Sequence, residues 1–351
     1  MLRLSAARGV STPVDRLLAV RAFREEADRE GFSRVGIAAA GPPPRFERYR
    51  EWIARERHAG MDYLRRSVTQ RADPEAVLSG VRSIVCLSYP YPASAPVAAD
   101  GSRIARYAVG PDYHGTLRQR AQRVAARVAE RVGDFRFRAC VDSAPLSERA
   151  FAAAAGVGWI GKNGCLIDPE RGSFLLLAEI LTDLDLPADS PLAEQCGSCV
   201  RCLSECPTSA FLEPGILDAS RCVAYWTIEH RGPIPDEIKP HIAENVFGCD
   251  ICQEVCPWNA PLLRDAQPGA VEVPTRAEWL ATGPGAWRRR WSATALGRAG
   301  RRGVQRNAAI SGGACGERSM LPAVTAAGGT AEPGLADAAR WAAASLAASG
   351  D

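Results

Sequence analysis

The first half of the chain alternates between helical and strand-like spacing of its apolar residues. Apolar side chains three or four positions apart predict helices at residues 14–30, 46–53 and 117–128. Short apolar runs and strict alternation predict strands at residues 34–38, 83–88, 135–141 and 173–181. Because helices and strands alternate, we predict an α/β domain over residues 1–185.

The pattern changes twice beyond residue 185. Residues 186–262 contain eight of the twelve cysteines, and we expect short helices and turns around them. Residues 263–351 open with arginines and tryptophans and continue as an alanine-rich helical pattern that ends near Leu346. The chain is therefore predicted to contain three domains, and the third is a basic helical region.

The spacing of the cysteines carries the strongest chemical signal. The sequence CGSCVRCLSECP at residues 196–207 has the bacterial ferredoxin spacing for a [4Fe–4S] cluster, and CDICQEVCP at residues 249–257 is a partial second copy, preceded by Cys222. In two-cluster ferredoxins, the cysteine before proline ligates the other cluster. The same crossover here gives one cluster Cys196, Cys199, Cys202 and Cys256, and the other Cys206, Cys222, Cys249 and Cys252. Structural zinc and disulfides are the alternatives, but neither accounts for two Cys-Pro endings.

Composition narrows the class of protein further. No apolar run reaches the length of a membrane span, and the first fifteen residues lack the apolar centre of a secretory signal. We interpret those residues as a frayed leader, although a basic, serine-containing start is also compatible with a transit peptide. Twelve cysteines without an export signal favour a reducing, cytoplasmic compartment. Outside the cluster sets, buried structural thiols are expected at Cys86, Cys140, Cys165 and Cys315.

The sequence GVGWIG at residues 156–161 matches the dinucleotide-binding pattern GxGxxG. That fingerprint must follow a strand and open a helix, whereas this copy follows a helical run and enters a loop. We therefore do not predict nicotinamide binding. We interpret the glycines as a turn that brings the backbone close to another large ligand.

Asp142 ends a predicted strand and begins the sequence DSAPLSER. One interpretation is a helix N-cap. The other is a proton donor, whose carboxyl pKa would be raised by burial beneath a large ligand.

The arginines at residues 288–290 lie between Trp287 and Trp291. Arginines neutralise phosphates, and aromatic rings can stack on splayed bases, so this segment favours a nucleic-acid contact. The alternative is an ordinary solvated helical face, and the net charge of +3 does not by itself indicate nucleic acid.

The cysteine pattern, the DSAPLSER segment, GVGWIGKNGCLI at residues 156–167 and DYH at residues 112–114 together resemble the epoxyqueuosine reductase family. The resemblance covers about residues 14–310. It implies a cobalamin-dependent iron–sulfur enzyme that reduces epoxyqueuosine at the anticodon wobble position of tRNA to queuosine. It also implies a cobalamin domain related to nitroreductases and cobalamin-processing proteins, a ferredoxin-like domain with two [4Fe–4S] clusters, and a short HEAT-like helical region. The usual GKNT is GKNG here, and the helical region is shorter than in longer members.

The resemblance also implies roles for individual residues. Asp142 is expected to be the proton donor. Expected cobalamin contacts are Arg71, Ala105, Asp142, Leu166, Leu177, Ala224 and Asp250. Expected tRNA contacts are Glu229, His230, Arg231, Arg301, Arg302, Gln305, Arg306 and Asn307. The DxHxxG motif that supplies a histidine to cobalt is absent, because Leu117 stands where DYH would need glycine, so no histidine is expected beneath the cobalt.

The reaction implied by the resemblance takes up two electrons and two protons and releases water. Iron–sulfur clusters can deliver electrons singly to a cobalt centre while Asp142 protonates the opening oxygen. An external low-potential electron donor, a monomeric enzyme and no membrane attachment are expected. A corrinoid reductive dehalogenase would share the cofactors but would not need the arginine–tryptophan segment. A plain electron carrier would leave the first domain unexplained.

Overall fold

The computed structural model describes residues 14–267 and 272–348. The predicted N-terminal leader lies almost entirely outside these ranges. In chain order the strands are β1 (Arg34–Ala39), β2 (Ser83–Pro90), β3 (Arg103–Ile104), β4 (Phe137–Cys140), β5 (Trp159–Ile160), β6 (Leu166–Ile167), β7 (Leu175–Thr182), β8 (Phe211–Glu213), β9 (Ile216–Leu217) and β10 (Asn245–Phe247). The α-helices are α1 (Arg16–Arg29), α2 (Phe46–Ala54), α3 (Asp62–Arg66), α4 (Val68–Arg71), α5 (Tyr113–Val132), α6 (Glu148–Ala154), α7 (Arg201–Ser204), α8 (Lys239–Ile242), α9 (Ile251–Glu254), α10 (Ala260–Arg264), α11 (Arg276–Ala281), α12 (Pro284–Arg290), α13 (Gly300–Ala314), α14 (Leu321–Ala327) and α15 (Pro333–Ala348).

The four strands predicted for the first region are confirmed, and they form one sheet in the order β1-β2-β7-β4. The three predicted helices are confirmed as α1, α2 and α5. Every strand pair of this sheet is antiparallel, so the region lacks the parallel sheet that an alternation of helices and strands usually gives. Strand direction depends on how the connections cross the sheet, which apolar spacing does not specify.

Both faces of the sheet are buried. Along β2, Val85 and Leu87 pack against α1 and α5, while Ile84 and Cys86 face α6. The region is therefore a three-layer arrangement in which the sheet lies between α1 with α5 on one side and α6 on the other. The expectation of buried thiols is confirmed for Cys86 and Cys140, but Cys315 is exposed.

The glycines of residues 156–161 accommodate the chain itself. A side chain at Gly158 would approach the Ile167 carbonyl oxygen at 2.4 Å, and one at Gly161 would meet the Ile167 side chain at 2.5 Å. These contacts arise because β5 and β6 form an antiparallel hairpin directly after α6. The close approach predicted from the glycines therefore exists, but the described partner is the hairpin rather than a ligand.

The helices of the third region pack into the cysteine-containing segment. One core joins Trp226 and Ile238 to α13, α14 and α15, and a second joins Phe247 of β10 to α11, α12 and α13. Helices α13 and α15 approach closely, since a side chain at Gly313 would meet the Ala342 Cα at 2.8 Å. Within the described ranges, no helix is long and apolar enough to cross a membrane.

Candidate active site

Asp142 lies two residues beyond the end of β4, next to the first turn of α5. One of its carboxylate oxygens accepts hydrogen bonds from Tyr113 Oη at 2.9 Å and from His114 Nε2 at 2.8 Å. Its backbone has a φ of 53°, in the left-handed region that non-glycine residues rarely adopt. Its amide N–H donates to the Glu148 carboxylate at the start of α6. Asp142 is thus held by two helices in a strained conformation of the kind found at functional sites.

The interpretation of Asp142 as a helix cap is wrong. Helix α6 begins at Glu148, and the residue at its N-cap position is Ser147. The segment between β4 and α6 is instead a loop that exposes 58 % of the Asp142 side chain.

The His114 ring lies between two carboxylates. Its Nε2 faces Asp142, and its Nδ1 lies 2.6 Å from Asp112 Oδ1. Neutral imidazole can donate from only one nitrogen, so donation to both carboxylates requires the protonated ring. The hydrogen bond to Asp142 accordingly raises the pKa of His114, and the bond to Asp112 adds to the effect.

The surroundings of Asp142 in the protein alone lower the pKa of its carboxyl. The hydrogen bond from His114 holds the pKa of the Asp142 carboxyl below its usual value, outweighing the effect of burial. The predicted rise in the pKa of Asp142 concerns the site with a large ligand bound above it, so it stays a prediction. In the protein alone, the geometry favours a proton on the His114 imidazole, hydrogen-bonded to the Asp142 carboxylate.

The pKa values of Tyr107 and Tyr63 respond both to Asp142 and to charges from other parts of the chain. Burial raises the pKa of Tyr107, and the charges of Asp142, Asp250 and Glu229 raise it further. Burial also raises the pKa of Tyr63. The charges of Glu229 and Asp142 add to this effect, and those of Arg298 and Arg71 oppose it. These residues come from separate parts of the chain, and the fold brings their charges together around the exposed Asp142 side chain, a region that we call the Asp142 cleft.

The residues predicted to contact cobalamin lie in three groups. In the first, the Arg71 side chain donates to the Leu146 carbonyl oxygen at 2.6 Å, while Leu166 and Leu177 pack in the same core as Leu146, beneath the Asp142 loop. In the second, Asp250 accepts from Arg106 N at 2.9 Å, directly after Ala105. In the third, Ala224 follows the predicted cluster ligand Cys222 by two residues.

Four cysteines surround a cavity of about 240 Å³. They are the four assigned to the first cluster, Cys196, Cys199, Cys202 and Cys256. Lys162, Asn163 and Trp258 also line this cavity. In the described ranges no three Cys, His, Asp or Glu side chains meet closely enough to hold a single metal ion. The four thiols instead enclose a volume, as ligands of a cubane cluster must.

The cysteines assigned to the second cluster also lie near one another. Burial raises the pKa of Cys249 to about 12, and Cys222 and Cys206 are among the charges that contribute. Cys165 and burial raise the pKa of Cys252, and Cys249 and Cys222 add to the effect. Both groups of thiols are therefore compatible with the prediction that the cysteine before each proline ligates the other cluster.

The β5–β6 hairpin supports the cluster loops, a role that the sequence analysis missed. Lys162 Nζ donates to the carbonyl oxygens of Gly197 at 2.6 Å and Cys199 at 3.0 Å, and Asn163 Nδ2 donates to that of Cys252 at 3.2 Å. Cys165, expected to be an ordinary buried thiol, lies beside the predicted cluster ligand Cys252, which lowers the pKa of the Cys165 thiol. The GKN sequence at residues 161–163 was the feature that could have indicated this role. Its hydrogen-bond partners lie more than 30 residues away in the chain, so local sequence could not identify them.

The last three residues of the predicted tRNA-binding segment are buried. Gln305, Arg306 and Asn307 are 4 %, 2 % and 0 % exposed. Arg306 donates to the carbonyl oxygens of Trp226, His230 and Gly232, and Asn307 to those of Thr227 and Val246. This burial contradicts the expectation that they contact tRNA directly. They bind the 226–232 turn and β10 to α13.

The other predicted tRNA contacts are more accessible. Arg302 is exposed, and Arg301 is half-buried beside the Gln305 side chain. Glu229 accepts from Arg298 at 2.6 Å, Arg231 donates to backbone carbonyls including Ile228 O, and His230 Nε2 lies 2.8 Å from Pro233 O. Arg298, which sequence analysis did not select, also stacks over the Tyr63 ring at 5.4 Å.

The two tryptophans next to the arginine run do not present their rings to solvent. Trp287 is 7 % and Trp291 is 9 % exposed, and both belong to the core around α11 and α13. The hypothesis that they stack on splayed bases is therefore wrong for this conformation. The arginines at residues 288–290 between them remain exposed.

Comparisons with known proteins agree on one family. A model described as epoxyqueuosine reductase QueG, DUF1730, matches residues 71–143, and a model of a 4Fe-4S double cluster binding domain matches residues 195–259. The chain is 37 % identical over 334 residues to an epoxyqueuosine reductase of Xanthomonas campestris, covering 92 % of this chain and 93 % of that protein. The epoxyqueuosine reductase of Escherichia coli is 37 % identical over 256 residues, with 71 % of this chain and 68 % of that protein covered.

Solved structures give the same result for the fold. A crystal structure of epoxyqueuosine reductase with an epoxyqueuosine-modified tRNA-Tyr stem loop has a TM-score of 0.85 and 28 % identity, covering 95 % of this chain and 91 % of that chain. The enzyme from Streptococcus thermophilus has a TM-score of 0.85 and 26 % identity, with the same coverage.

The cavity bounded by both cysteine runs predicts a crossed effect of substitution. Replacing Cys256 with alanine should damage the cluster held by Cys196, Cys199 and Cys202, because all four thiols surround one cavity. Iron analysis and electron paramagnetic resonance of reduced, anaerobically purified protein should show a loss of about half the iron and retention of the other cluster. Cys315→Ala, which removes an exposed thiol, is the control. Loss of the cluster associated with Cys249 and Cys252 would contradict the assignment.

Proposed function

The chain belongs to the epoxyqueuosine reductase family, and we propose that it reduces the epoxide of epoxyqueuosine in tRNA to the alkene of queuosine at the Asp142 cleft. The observation that supports this assignment to the cleft is the arrangement of Asp142, His114 and Asp112. It provides a proton beside the exposed side chain of Asp142, in a chain that also contains a segment matching a double cluster domain. The substrate is assigned from the relatives, one of which is solved with epoxyqueuosine-modified tRNA.

The proton reaches the substrate through Asp142. In the protein alone, His114 carries the proton and Asp142 is its acceptor. Entry of the modified nucleoside displaces water from the exposed Asp142 side chain, and loss of water favours the neutral acid over the carboxylate. The proton then moves from His114 Nε2 to the Asp142 carboxylate and from there to the epoxide oxygen as the C–O bond opens. Asp112, which is half exposed, connects His114 Nδ1 to solvent for reprotonation.

The complete reaction balances when two electrons and two protons convert the epoxide into an alkene and one water. Asp142 delivers one proton to the oxygen, and the second follows after His114 is reprotonated. Tyr113 donates to the same Asp142 oxygen and fixes its direction toward the cleft. These residues position and transfer protons, while the electron transfer requires a redox cofactor.

The residues around the cleft fit cobalamin. Two of the expected contacts are the apolar Leu166 and Leu177, and two others, Arg71 and Asp250, are charged groups that influence the cleft tyrosines. Both ring nitrogens of His114 are engaged by carboxylates, so neither is free to bind a metal. When bound, cobalamin supplies a strongly reducing cobalt centre for opening the epoxide. Arg71, Ala105, Leu166, Leu177, Ala224 and Asp250 are the residues proposed to hold it.

The two clusters are proposed to carry electrons in a fixed order. The thiols of the first cluster line a cavity that the exposed residue Gln195 also borders. Asp250 lies between the second-cluster ligands Cys249 and Cys252, and its charge acts on Tyr107 together with that of Asp142. We assign electron entry to the first cluster, from an external low-potential donor, and electron delivery to the second. We propose that the enzyme acts as a monomer, because the cysteines of both clusters and Asp142 all belong to one chain.

The tRNA surface is proposed to consist of exposed arginines placed by a buried frame. Arg302 and the exposed run at residues 288–290 provide phosphate contacts. Arg298, paired with Glu229 and stacked on Tyr63, lies near Asp142 and is a candidate contact for the nucleoside that enters the cleft. Gln305, Arg306 and Asn307 hold the turn that carries Glu229, His230 and Arg231. Because the proposed substrate is tRNA, we assign the enzyme to the cytoplasm.

The finer description of the architecture is part of the same proposal. We propose domains at residues 1–185, 186–262 and 263–351. The first is related to nitroreductases and cobalamin-processing proteins, and the third is HEAT-like. The sheet with helices on both faces supports the first description, and the packing of α13, α14 and α15 supports the second.

Asp142→Asn tests the proton donor directly. Asparagine is nearly isosteric but cannot deliver an acidic proton, so the single-turnover rate should fall by about 10²–10⁴-fold. Conversion of epoxyqueuosine-containing tRNA by chemically reduced enzyme is the measurement, with cluster content and tRNA affinity expected to be unchanged. The matched control is Asp134→Asn, an exposed aspartate before β4. Near-normal conversion by Asp142→Asn would remove this residue from the mechanism.

The protonated state of His114 predicts the pH dependence of turnover. Because the folded-state pKa of His114 is raised above its ordinary 6.5, the proton-bearing pair predominates below that raised value, and the rate should fall as pH rises through it. His114→Gln can still donate to Asp142 but carries no transferable proton. Its single-turnover rate should be lower by about 10²-fold at pH 6 and should vary less with pH. His241→Gln, an exposed histidine on α8, should keep the wild-type profile.

The distinction between exposed and buried arginines can be tested by salt titration of tRNA binding. Neutralising Arg302 and Arg289 should reduce the magnitude of the log–log salt slope by roughly one per lost phosphate contact. Arg306→Gln should instead lower the free energy of unfolding by about 3 kcal/mol, because it leaves buried carbonyls without donors. Arg21→Gln on α1 is a control for surface charge. An unchanged slope for the Arg302 and Arg289 variants would make these residues an ordinary solvated face.

A further inference from the structure

A pair of acidic side chains beneath the Asp142 loop has no part in the function described so far. Glu179 lies on the central strand β7, 0 % exposed, on the face of the sheet covered by α6. Neither of its carboxylate oxygens receives a hydrogen bond from a donor in residues 14–267 and 272–348. Helix α6 covers this face, and the Glu148 carboxyl at its start is close enough to Glu179 for each side chain to alter the pKa of the other.

Two carboxylates in contact inside a protein form a hydrogen bond only if one of them carries a proton. A pair of anions would combine the cost of burial with mutual repulsion. Glu148 also accepts the amide hydrogen of Asp142, whose φ of 53° needs support from its surroundings. The pair therefore connects the central strand of the sheet to the backbone of the residue that delivers the proton.

We propose that Glu148 and Glu179 share one proton at neutral pH, and that this shared proton fixes Glu148 where it holds the Asp142 backbone in its functional conformation. Glu148 is thus a positioning residue for Asp142, and Glu179 is the buried partner that locks it. The positioning role rests on the proposed function of Asp142, whereas the shared proton is independent of it.

The surroundings of the pair favour the protonated form. Burial raises the pKa of Glu148 to about 7, with the Asp142 charge adding to the effect, and burial and Glu148 raise that of Glu179 well above its usual value. The charged and titratable groups facing the pair from other elements are Asp142, Arg71, Tyr113, Cys86 and Cys140. Arg71 is the one cation in this set, and it favours ionisation of Glu148 without cancelling the effect of burial.

The shared proton can be tested without measuring activity. At neutral pH the infrared spectrum of the wild-type protein should contain the carbonyl band of a protonated carboxylic acid, and the band should shift in D₂O. Glu179→Gln should remove it, because glutamine donates an N–H to Glu148 in place of the proton. An identical band in the variant, or no such band in the wild type, would overturn the shared proton.

The same variant should change how stability depends on pH. The folded protein keeps a proton that the unfolded chain releases above the ordinary glutamate pKa of 4.5, so the wild type should lose stability as pH rises from about 4.5 through about 7. Glu179→Gln should reduce this loss. Glu30→Gln is the matched control, because Glu30 is also buried but ion-paired, with a lowered pKa, and its replacement should destabilise the protein at neutral pH. Equal pH dependence in wild type and Glu179→Gln would contradict the proposal.

The positioning role requires an activity measurement with rescue. Glu148→Ala removes the acceptor for the Asp142 amide, and a displaced proton donor should lower the single-turnover rate by about 10–10²-fold, with tRNA affinity unchanged. Glu148→Gln should restore most of the rate, because its amide oxygen can accept from Asp142 and its NH₂ can donate to Glu179. Equal rates for wild type and Glu148→Ala, or equal losses in the alanine and glutamine variants, would overturn the positioning role. If the wild type itself fails to convert the substrate, the proposed function fails, while the infrared and stability results still decide the shared proton.

Discussion

The hydrogen bond between His114 and Asp142 is the interaction on which the site depends. It joins the first turn of α5 to the loop beyond β4, and it determines which of the two groups holds the proton. An isolated carboxyl in a cleft would require strong desolvation to remain protonated at neutral pH. A carboxylate paired with an imidazolium keeps a transferable proton within 2.8 Å while remaining ionised until substrate arrives. Asp142 can therefore be partly exposed in the free enzyme and still serve as the acid that we propose.

The rest of the fold fixes the two sides of this hydrogen bond. Helix α5 packs on one face of the antiparallel sheet through Leu117, Ala121 and Val124, which places His114 at its N-terminal end. Helix α6 packs on the opposite face and brings Glu148 to the Asp142 amide. Because both helices are anchored on the same buried sheet, the proton-transfer pair is positioned by rigid elements although its loop is exposed.

The cysteine segment and the C-terminal helices form a continuous structure with the cleft. Lys162 and Asn163 of the β5–β6 hairpin hold both cluster loops, and Arg306 and Asn307 hold the turn that carries Glu229 to Arg231. Polar side chains with buried hydrogen bonds to backbone carbonyls do this in both places, and such bonds are costly to leave unmade. Substitutions at these residues would alter electron delivery or tRNA contacts indirectly, through the geometry of the loops they support.

The sequence by itself determined the features that depend on local spacing. Apolar periodicity located the strands of the sheet and the helices α1, α2 and α5, and the cysteine spacing grouped the thiols that line the 240 Å³ cavity. The family resemblance, carried by DSAPLSER and the neighbouring motifs, selected Asp142. What only the tertiary structure decided depends on partners distant in the chain. The antiparallel direction of the strands, the lowered pKa of Asp142 and the raised pKa values of Glu148 and Glu179 each arise from such partners. The burial of Trp287, Trp291 and residues 305–307 could not be predicted for the same reason. The sequence contains the same arginine or tryptophan whether its side chain faces water or a backbone carbonyl. Burial and charge are properties of the surroundings, and those surroundings exist only after the chain has folded.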